Sequence, residues 1–328
     1  MKKILISILT LTLSVGGFAQ LPQLKSEVVK FYQIRDIAIQ SRILNSSNVI
    51  EKYEDFLNHP LFCETAFGFE YIDFVEVLLR RGEYRKAEKY LLKTARSHYM
   101  NASDKFIAIF NRTKQTWPDT VFAIPRTPES IKFKETVLEK MLEIEEKRNI
   151  DPRFMAIVHE IGELAEKESV NRNLIHRTSN YDMESINKSD SVIIYRLIEL
   201  IKENPDIDIM RINMRKSHVF NVVTPYFDLG DVRMILHHVL RHRSASYAET
   251  AWDNFFEAYF RERAEQGKGL DYCFWYDTRL SHGKYGFNHN ETYYGMTLWH
   301  GNPVRLSVDR RKEVNENREK VGLSPLTR

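Results

Sequence analysis

The chain has 328 residues, of which 43% are hydrophobic and 12% aromatic, and its formal net charge is +3. This apolar content can fill a buried core and excludes an intrinsically disordered polymer. The small net charge gives no field that would attract a polyanion. The composition therefore does not favour a role in nucleic-acid binding.

Residues 1–19 have the pattern of a secretory signal peptide. Lys2 and Lys3 form a charged start, residues 4–15 are mostly apolar, and a small-x-small sequence precedes the expected cleavage before Gln20. The apolar run is shorter than the about 20 residues that span a membrane, and no later segment is long and apolar enough. We therefore expect an exported, soluble protein that is periplasmic or extracellular.

The next 250 or so residues have a helical period. Between Leu21 and about Gln266, apolar residues recur at steps of three and four, and alternating strand-like runs are scarce. This pattern predicts an all-α fold. Its clearest helices are expected at 129–147, 184–203 and 309–320, where apolar positions are bounded by helix-stopping residues.

The length that remains after cleavage suits two domains of roughly 100 to 200 residues each. We expect a repeat-like helical domain over residues 20–127 and a second helical domain over residues 128–328. Glycines and aromatic residues crowd together after Gln266, which predicts a loop-rich, aromatic-rich end with a short hairpin.

The segment Tyr71–Ala95 has the pattern of a helical hairpin. Gly82 suits the turn, and the small Ala87 allows two helices to approach closely. The Gly-x-Tyr-x-x-Ala-x-x-x-Leu spacing resembles one tetratricopeptide unit, although such folds need about three stacked units. Two interpretations stay open: a groove for a peptide or protein partner, or an ordinary helix pair that supports a core.

The chain contains two cysteines, Cys63 and Cys273, one in each half. It therefore does not depend on a disulfide framework. A single bridge between the halves and a pair of buried free thiols are both compatible with the sequence.

Residues 270–326 contain the densest group of side chains with functional chemistry. Its polar and aromatic members are Asp277, Arg279, His282, His289, Asn290, Glu291, Tyr293, Tyr294, Trp299 and His300. Aromatic rings edged by amide and imidazole groups suit a pocket for a sugar, a peptide or another small polar ligand. They suit the interior of a loop-rich subdomain equally well.

From roughly Leu142 to its end, the chain resembles a bacterial protein family of unknown function. The closing motif of that family, Asn-x-x-Arg-x-x-x-Gly-Leu-x-Pro-Leu, is kept here as Asn315, Arg318, Gly322, Leu323, Pro325 and Leu326. His238 stands for the histidine of a Gln-His pair, and Tyr294-Gly295 for a Tyr-Gly core. The resemblance implies a related fold, and no reaction is assigned to the family.

Several polar positions depart from the pattern of that family. Glu168 and Ser169 replace an Asp-Gln pair, and Thr292 and Met296 replace a Gln and a Thr. Asp277 and Arg279, which stand for an Asp-Arg pair, are separated by one residue. If the polar residues of the family form an active site, that site is altered in this chain.

Two pairs of potential ligands have spacings that could serve a metal ion. His238 and His242, like His159 and Glu163, are four residues apart and share a helix face. The spacing is unspecific, and the HExxH signature of zinc proteases is absent from the sequence. We expect neither a metal nor another cofactor.

For acid-base chemistry, the resemblance implies His238 as the base, Asp277 as its orienting carboxylate and Arg279 as a binder of anionic groups, with Tyr294 beside them. These four are the candidate catalytic residues. The sequence favours a binding or interaction protein of the cell envelope. A hydrolase with this site in its second domain is the alternative.

Overall fold

The computed structural model describes residues 24–111, 124–177, 182–212, 231–240, 245–283, 286–287, 292–295 and 306–326. The described residues form thirteen α-helices, which confirms the all-α prediction. These are α1 Ser26–Ile43, α2 Val49–Leu57, α3 Glu64–Arg80, α4 Tyr84–Ala95, α5 Ala102–Asn111, α6 Pro128–Glu146, α7 Pro152–Arg177, α8 Met183–Glu203, α9 Asp231–Val239, α10 Ser246–Ala251, α11 Glu257–Glu265, α12 Asp271–Ser281 and α13 Val308–Lys320. None of these helices combines the length and apolarity that a membrane crossing requires. The signal-peptide prediction for residues 1–19 lies outside the described residues.

Shorter elements join some of these helices. A 3₁₀ turn covers Ile209–Arg211, and a π-helical turn over Trp252–Phe256 connects α10 directly to α11. Two-residue strands, β1 His282–Gly283 and β2 Gly286–Phe287, pair in the antiparallel sense, which confirms the short hairpin.

Local sequence signals explain where several helices begin. Thr127 and Ser130 form a reciprocal capping box at the start of α6, where Pro128 occupies the first turn. Asp182 accepts a hydrogen bond from the amide of Glu184 at the start of α8, and Ser307 does the same for Arg310 in α13. The predicted helices therefore agree with the observed ones to within one or two residues.

The aromatic run after Gly269 is helical where we expected loops. Tyr272 and Tyr276, one turn apart in α12, stack with ring centroids 5.5 Å apart. No glycine or proline interrupts residues 271–281, and the glycines that suggested loops flank this segment. Residues 272–275 are all buried, so α12 is enclosed by neighbouring elements on several sides.

The predicted hairpin is present as α3 and α4. Gly82 has a φ of +73° in the turn between them, and Ala87 is buried at their contact. The helix pair is thus confirmed, whereas its relationship to tetratricopeptide repeats stays a prediction.

One hydrophobic core runs through the described residues on both sides of the predicted domain boundary near residue 127. Tyr84 in α4 and Phe133 in α6 place their rings 5.2 Å apart across that boundary. Tyr32 in α1 donates to the Ala264 carbonyl at 2.8 Å and accepts from the Gly269 amide at 3.1 Å. The two predicted domains therefore share a core.

A buried ionic cluster lies where α9, α11 and α12 meet the 3₁₀ turn. Asp271 is 2.6 Å from Arg233 and 3.9 Å from both Arg211 and Arg263. Burial alone would raise the pKa of Asp271, but the three guanidinium groups outweigh it and lower that pKa to about 2. The cluster therefore holds an ionised carboxylate inside the protein.

Candidate functional site

The Asp277 carboxylate binds the backbone of a loop that covers residues 292–295. It is buried in α12 and accepts hydrogen bonds from Thr292 Oγ1 at 2.7 Å, the Tyr293 amide at 2.6 Å and the Tyr294 amide at 3.0 Å. A carboxylate with this many donors is a structural anchor for the backbone of residues 292–295. These bonds give the Asp277 carboxylate a structural role in the loop, and its catalytic role stays a prediction.

The closing motif continues this anchor. Arg318 donates to the Tyr294 carbonyl at 2.7 Å and to the Ser324 carbonyl at 2.6 Å. Asn315 accepts from the Leu326 amide at 2.7 Å and donates to the carbonyl of the same residue at 3.3 Å. We call residues 315–326 the C-terminal clasp, because their side chains and backbone fasten the end of the chain to α13 and to the loop that Asp277 holds.

The clasp also reaches α1. Asp36 accepts from the Ser324 amide at 2.8 Å. Gly322 has a φ of +79°, and a Cβ atom there would lie 2.4 Å from the Val29 carbonyl oxygen. The residues of the closing motif therefore have structural roles in this protein: Gly322 lies against α1, while Asn315 and Arg318 bind the backbone of the chain end.

The Tyr294 hydroxyl is buried beside Cys273. Burial raises the pKa of Tyr294 far above its ordinary value, and burial likewise raises the pKa of the Cys273 thiol. Both groups are held in their neutral forms. Both cysteines are free, with Cys273 buried and Cys63 partly exposed, so the structure contains no bridge between them.

Arg279 secures the ends of two other helices. Its Nη1 donates to the Leu240 carbonyl at 3.1 Å, just after α9, and to the Ala248 carbonyl in α10 at 3.3 Å. Its guanidinium carbon lies 5.3 Å from the ring centroid of Trp252, at the start of the π-helical turn. This arginine therefore places the carboxyl end of α9, the helix that carries His238.

His238 meets a carboxylate that the sequence did not pair with it. Its Nδ1 atom lies 2.7 Å from Glu168 Oε1 of α7, a short contact without the alignment of a good hydrogen bond. The Glu168 side chain is 4% exposed and that of His238 is 18% exposed. With Glu168 ionised, Nδ1 must carry a proton, because two lone pairs would otherwise face each other.

A second polar group lies one turn further along α7. Asn171 donates to Asp190 of α8 at 2.9 Å and to Ser189 at 3.0 Å, and Tyr247 of α10 approaches Asp190 at 3.4 Å. These bonds tie α7 to its neighbours immediately beside Glu168. The carboxylate therefore sits on a helix face that several side-chain bonds fix in place.

The four predicted catalytic residues make their contacts in three different places. Asp277 and Tyr294 lie together in the loop anchor, Arg279 lies at the end of α9, and His238 faces Glu168. Of the other predicted pocket residues, His289, Asn290, Glu291, Trp299 and His300 lie outside the described residues.

Among the described residues, no group of three or more His, Cys, Asp or Glu side chains could hold a metal ion. His159 and Glu163 form a 3.5 Å pair on the exposed face of α7. His242 lies outside the described part of the chain.

Glu168 is a partner of His238 that the sequence did not reveal. The two residues are 70 positions apart in different helices, so no local spacing could pair them. One signal was available: the resemblance placed Glu168 where the family has an acid, but we counted it as a departure.

No protein-family model matches this chain, and comparisons with curated proteins and with solved structures find no match either. The resemblance to the bacterial family of unknown function therefore stays a prediction.

Proposed function

We propose that this protein is exported and binds a small polar ligand through His238, which Glu168 orients. The observation that supports the proposal is the 2.7 Å contact between a buried carboxylate and a partly exposed imidazole. Glu168 is buried and lies against the Nδ1 edge of the His238 imidazole. Because His238 is partly exposed, a ligand in solvent can reach the rest of the ring.

The position of the ring supports binding at the Nε2 edge. In the part of the chain that the structure describes, no residue donates to or accepts from Nε2 of His238. When Nδ1 carries the proton, Nε2 is an acceptor for a hydroxyl or amine of a ligand. A sugar, an amino acid or a short peptide offers such donors.

A hydrolase that uses the same pair is the second candidate. A histidine whose Nδ1 contacts a buried carboxylate has the arrangement of a general base with its orienting group, and Nε2 would take the proton from an attacking water. Glu168, rather than Asp277, would then be the positioning residue. The two candidates can be distinguished by experiment, because a hydrolase converts its ligand to a product and a binding protein leaves it unchanged.

Export is tested by expressing the full chain in a bacterium with two membranes and isolating the periplasmic fraction. We expect a product that begins at Gln20, identified from its intact mass and its first residues. Recovery of the uncleaved chain from the cytosol alone would contradict export.

Ligand binding is tested by screening the purified mature protein against sugars, amino acids, dipeptides and chromogenic esters. We expect a compound that raises the melting temperature of the wild type and fails to do so for His238→Ala. The matched control is His159→Ala, which removes an exposed histidine from a similar His-Glu pair on the same helix as Glu168. Release of a chromophore that His238→Ala abolishes would favour the hydrolase, and a response that survives His238→Ala would refute both candidates.

A further inference from the structure

A groove of about 810 Å³ lies between α1 and α13, away from His238. Gln33 and Ile37 of α1 form one wall, the outer face of α13 forms the other, and Leu323 and Pro325 of the C-terminal clasp lie at one end. Its volume exceeds what a gap between packed helices in a protein interior would leave.

The groove exposes apolar side chains at its rim. Val308, the first residue of α13, is 79% exposed, and Ile37 is 46% exposed. Both line the groove, so their apolar surface is presented to whatever occupies it. Exposed apolar residues gathered at one concave surface are typical of a contact site.

The charged residues of α13 that line the groove are divided by sign. Arg311 and Lys312 line the groove toward the start of the helix, and Glu316 and Glu319 line it toward the end. None of these four makes an ion pair with another described residue. Arg311 Nη2 donates to the Leu306 carbonyl at 3.4 Å. The groove-lining face of α13 therefore carries two positive charges followed by two negative charges.

This order of charges complements itself when two copies of the helix run antiparallel. Val308, Arg311, Asn315 and Glu319 share one face of α13, because they follow one another at steps of three and four. With Asn315 at a two-fold axis, Arg311 faces Glu319 of a second copy, and Lys312 comes near its Glu316. Val308 then faces the partner's groove where Gly322 and Leu323 line it.

We propose that this groove is the interface of a homodimer in which α13 of one protomer packs antiparallel against α13 of its partner. Two-fold symmetry makes every contact occur twice, so one charged helix supplies both halves of each ion pair. Burial of the exposed Val308 and Ile37 supplies the apolar contribution, and the charge order fixes the antiparallel direction. The proposal is independent of the ligand proposed at His238.

The mass of the mature protein in solution tests this directly. Sedimentation equilibrium should give a dimer, and Val308→Asp should give a monomer at the same concentration. Val192→Asp is the matched control, since Val192 is also exposed but lies on α8. Far-ultraviolet circular dichroism of each variant shows whether the helices are retained.

A charge exchange tests the antiparallel pairing itself. Arg311→Glu and Glu319→Arg should each weaken the dimer at least tenfold, because each places like charges opposite one another twice. The double variant should recover dimerisation, since the exchanged charges again face opposite signs across the interface. Within one helix these two residues are eight positions apart, about 12 Å, so recovery cannot come from an intrahelical pair.

Either of two results would overturn the proposal. The first is a wild-type protein that stays monomeric up to about 100 µM, a concentration at which even a weak specific dimer forms. The second is a dimer whose dissociation constant is unchanged by Val308→Asp and by both single charge reversals.

Discussion

At the scale of single residues, Gly322 shows how one position can decide how the chain end packs. Its positive φ and the 2.4 Å approach of the Val29 carbonyl to a Cβ position both require glycine. Gly82 has a similar φ of +73°, but nothing lies within 4 Å of a Cβ atom there. Replacing Gly82 would therefore incur only the free-energy cost of the left-handed backbone conformation. Replacing Gly322 would incur that cost and the cost of steric overlap with Val29.

We expect Gly82→Ala to lower the free energy of unfolding by about 1 kcal/mol, the cost of a left-handed conformation for alanine. Gly322→Ala should cost at least about 3 kcal/mol, because the chain must also move away from α1. Urea denaturation of both variants measures the difference. Equal losses would mean that the clasp does not pack against α1 as described.

The roles of some individual residues can be recognised from the sequence, and those of others cannot. The caps Thr127, Asp182 and Ser307 act through their immediate neighbours, so local sequence can reveal their roles, whereas Gly322 acts against Val29 of the distant α1. The partner of His238 could not be found in this way, because α7 and α9 meet only through the tertiary fold. Asp277 was assigned to His238 from the family resemblance, whereas its carboxylate accepts from residues 292–294.

At the scale of elements, Arg318 links α13 to two separate loops. It is buried and donates to the carbonyls of Tyr294 and Ser324. We expect Arg318→Ala to lower the free energy of unfolding by about 3 kcal/mol, because it leaves buried carbonyl groups unpaired.

Lys320→Ala is the control for Arg318→Ala, since Lys320 is exposed near the end of the same helix. That variant should change stability by less than about 0.5 kcal/mol. Thermal or urea unfolding compares the two. Similar stabilities of both variants would show that the clasp does not contribute to stability.

Helix positions were predictable to a larger extent than contacts between helices. Prolines and caps bound α6, α8 and α13 in the sequence itself. Helix α12 was missed because the flanking glycines and crowded aromatic residues suggested loops, although Tyr272 and Tyr276 have helical spacing. For α12, the spacing of the aromatic residues indicated a helix, whereas the overall composition of the segment suggested loops.

At the scale of the whole molecule, the buried cluster around Asp271 makes stability depend on pH. The pKa of Asp271 is about 2 in the folded protein, below its ordinary value of 3.8. A lowered pKa means that the stabilisation is complete above the ordinary value and is lost as the pH falls through about 4 toward 2. We expect this carboxylate to account for a loss of about 2 kcal/mol over that range.

Asp271→Asn tests that dependence. At neutral pH the variant should be less stable by about 3 kcal/mol or more, because three buried arginines lose their shared partner. The difference from wild type should shrink by about 2 kcal/mol as the pH is lowered from about 5 to about 2. A constant difference would show that Asp271 does not titrate with the lowered pKa. Asp253→Asn, at an exposed position, is the control.

The proposed function depends on the orientation of one ring, and ¹⁵N-labelled protein allows that ring to be observed. Long-range ¹H–¹⁵N correlation spectra of the wild type, assigned with His238→Ala, report which nitrogen of neutral His238 carries the proton. We predict that the proton resides on Nδ1, facing Glu168, and that Glu168→Ala shifts the population toward the Nε2 form that predominates in free imidazole side chains. A neutral His238 that is already protonated on Nε2 in the wild type, and unchanged by Glu168→Ala, would contradict the account.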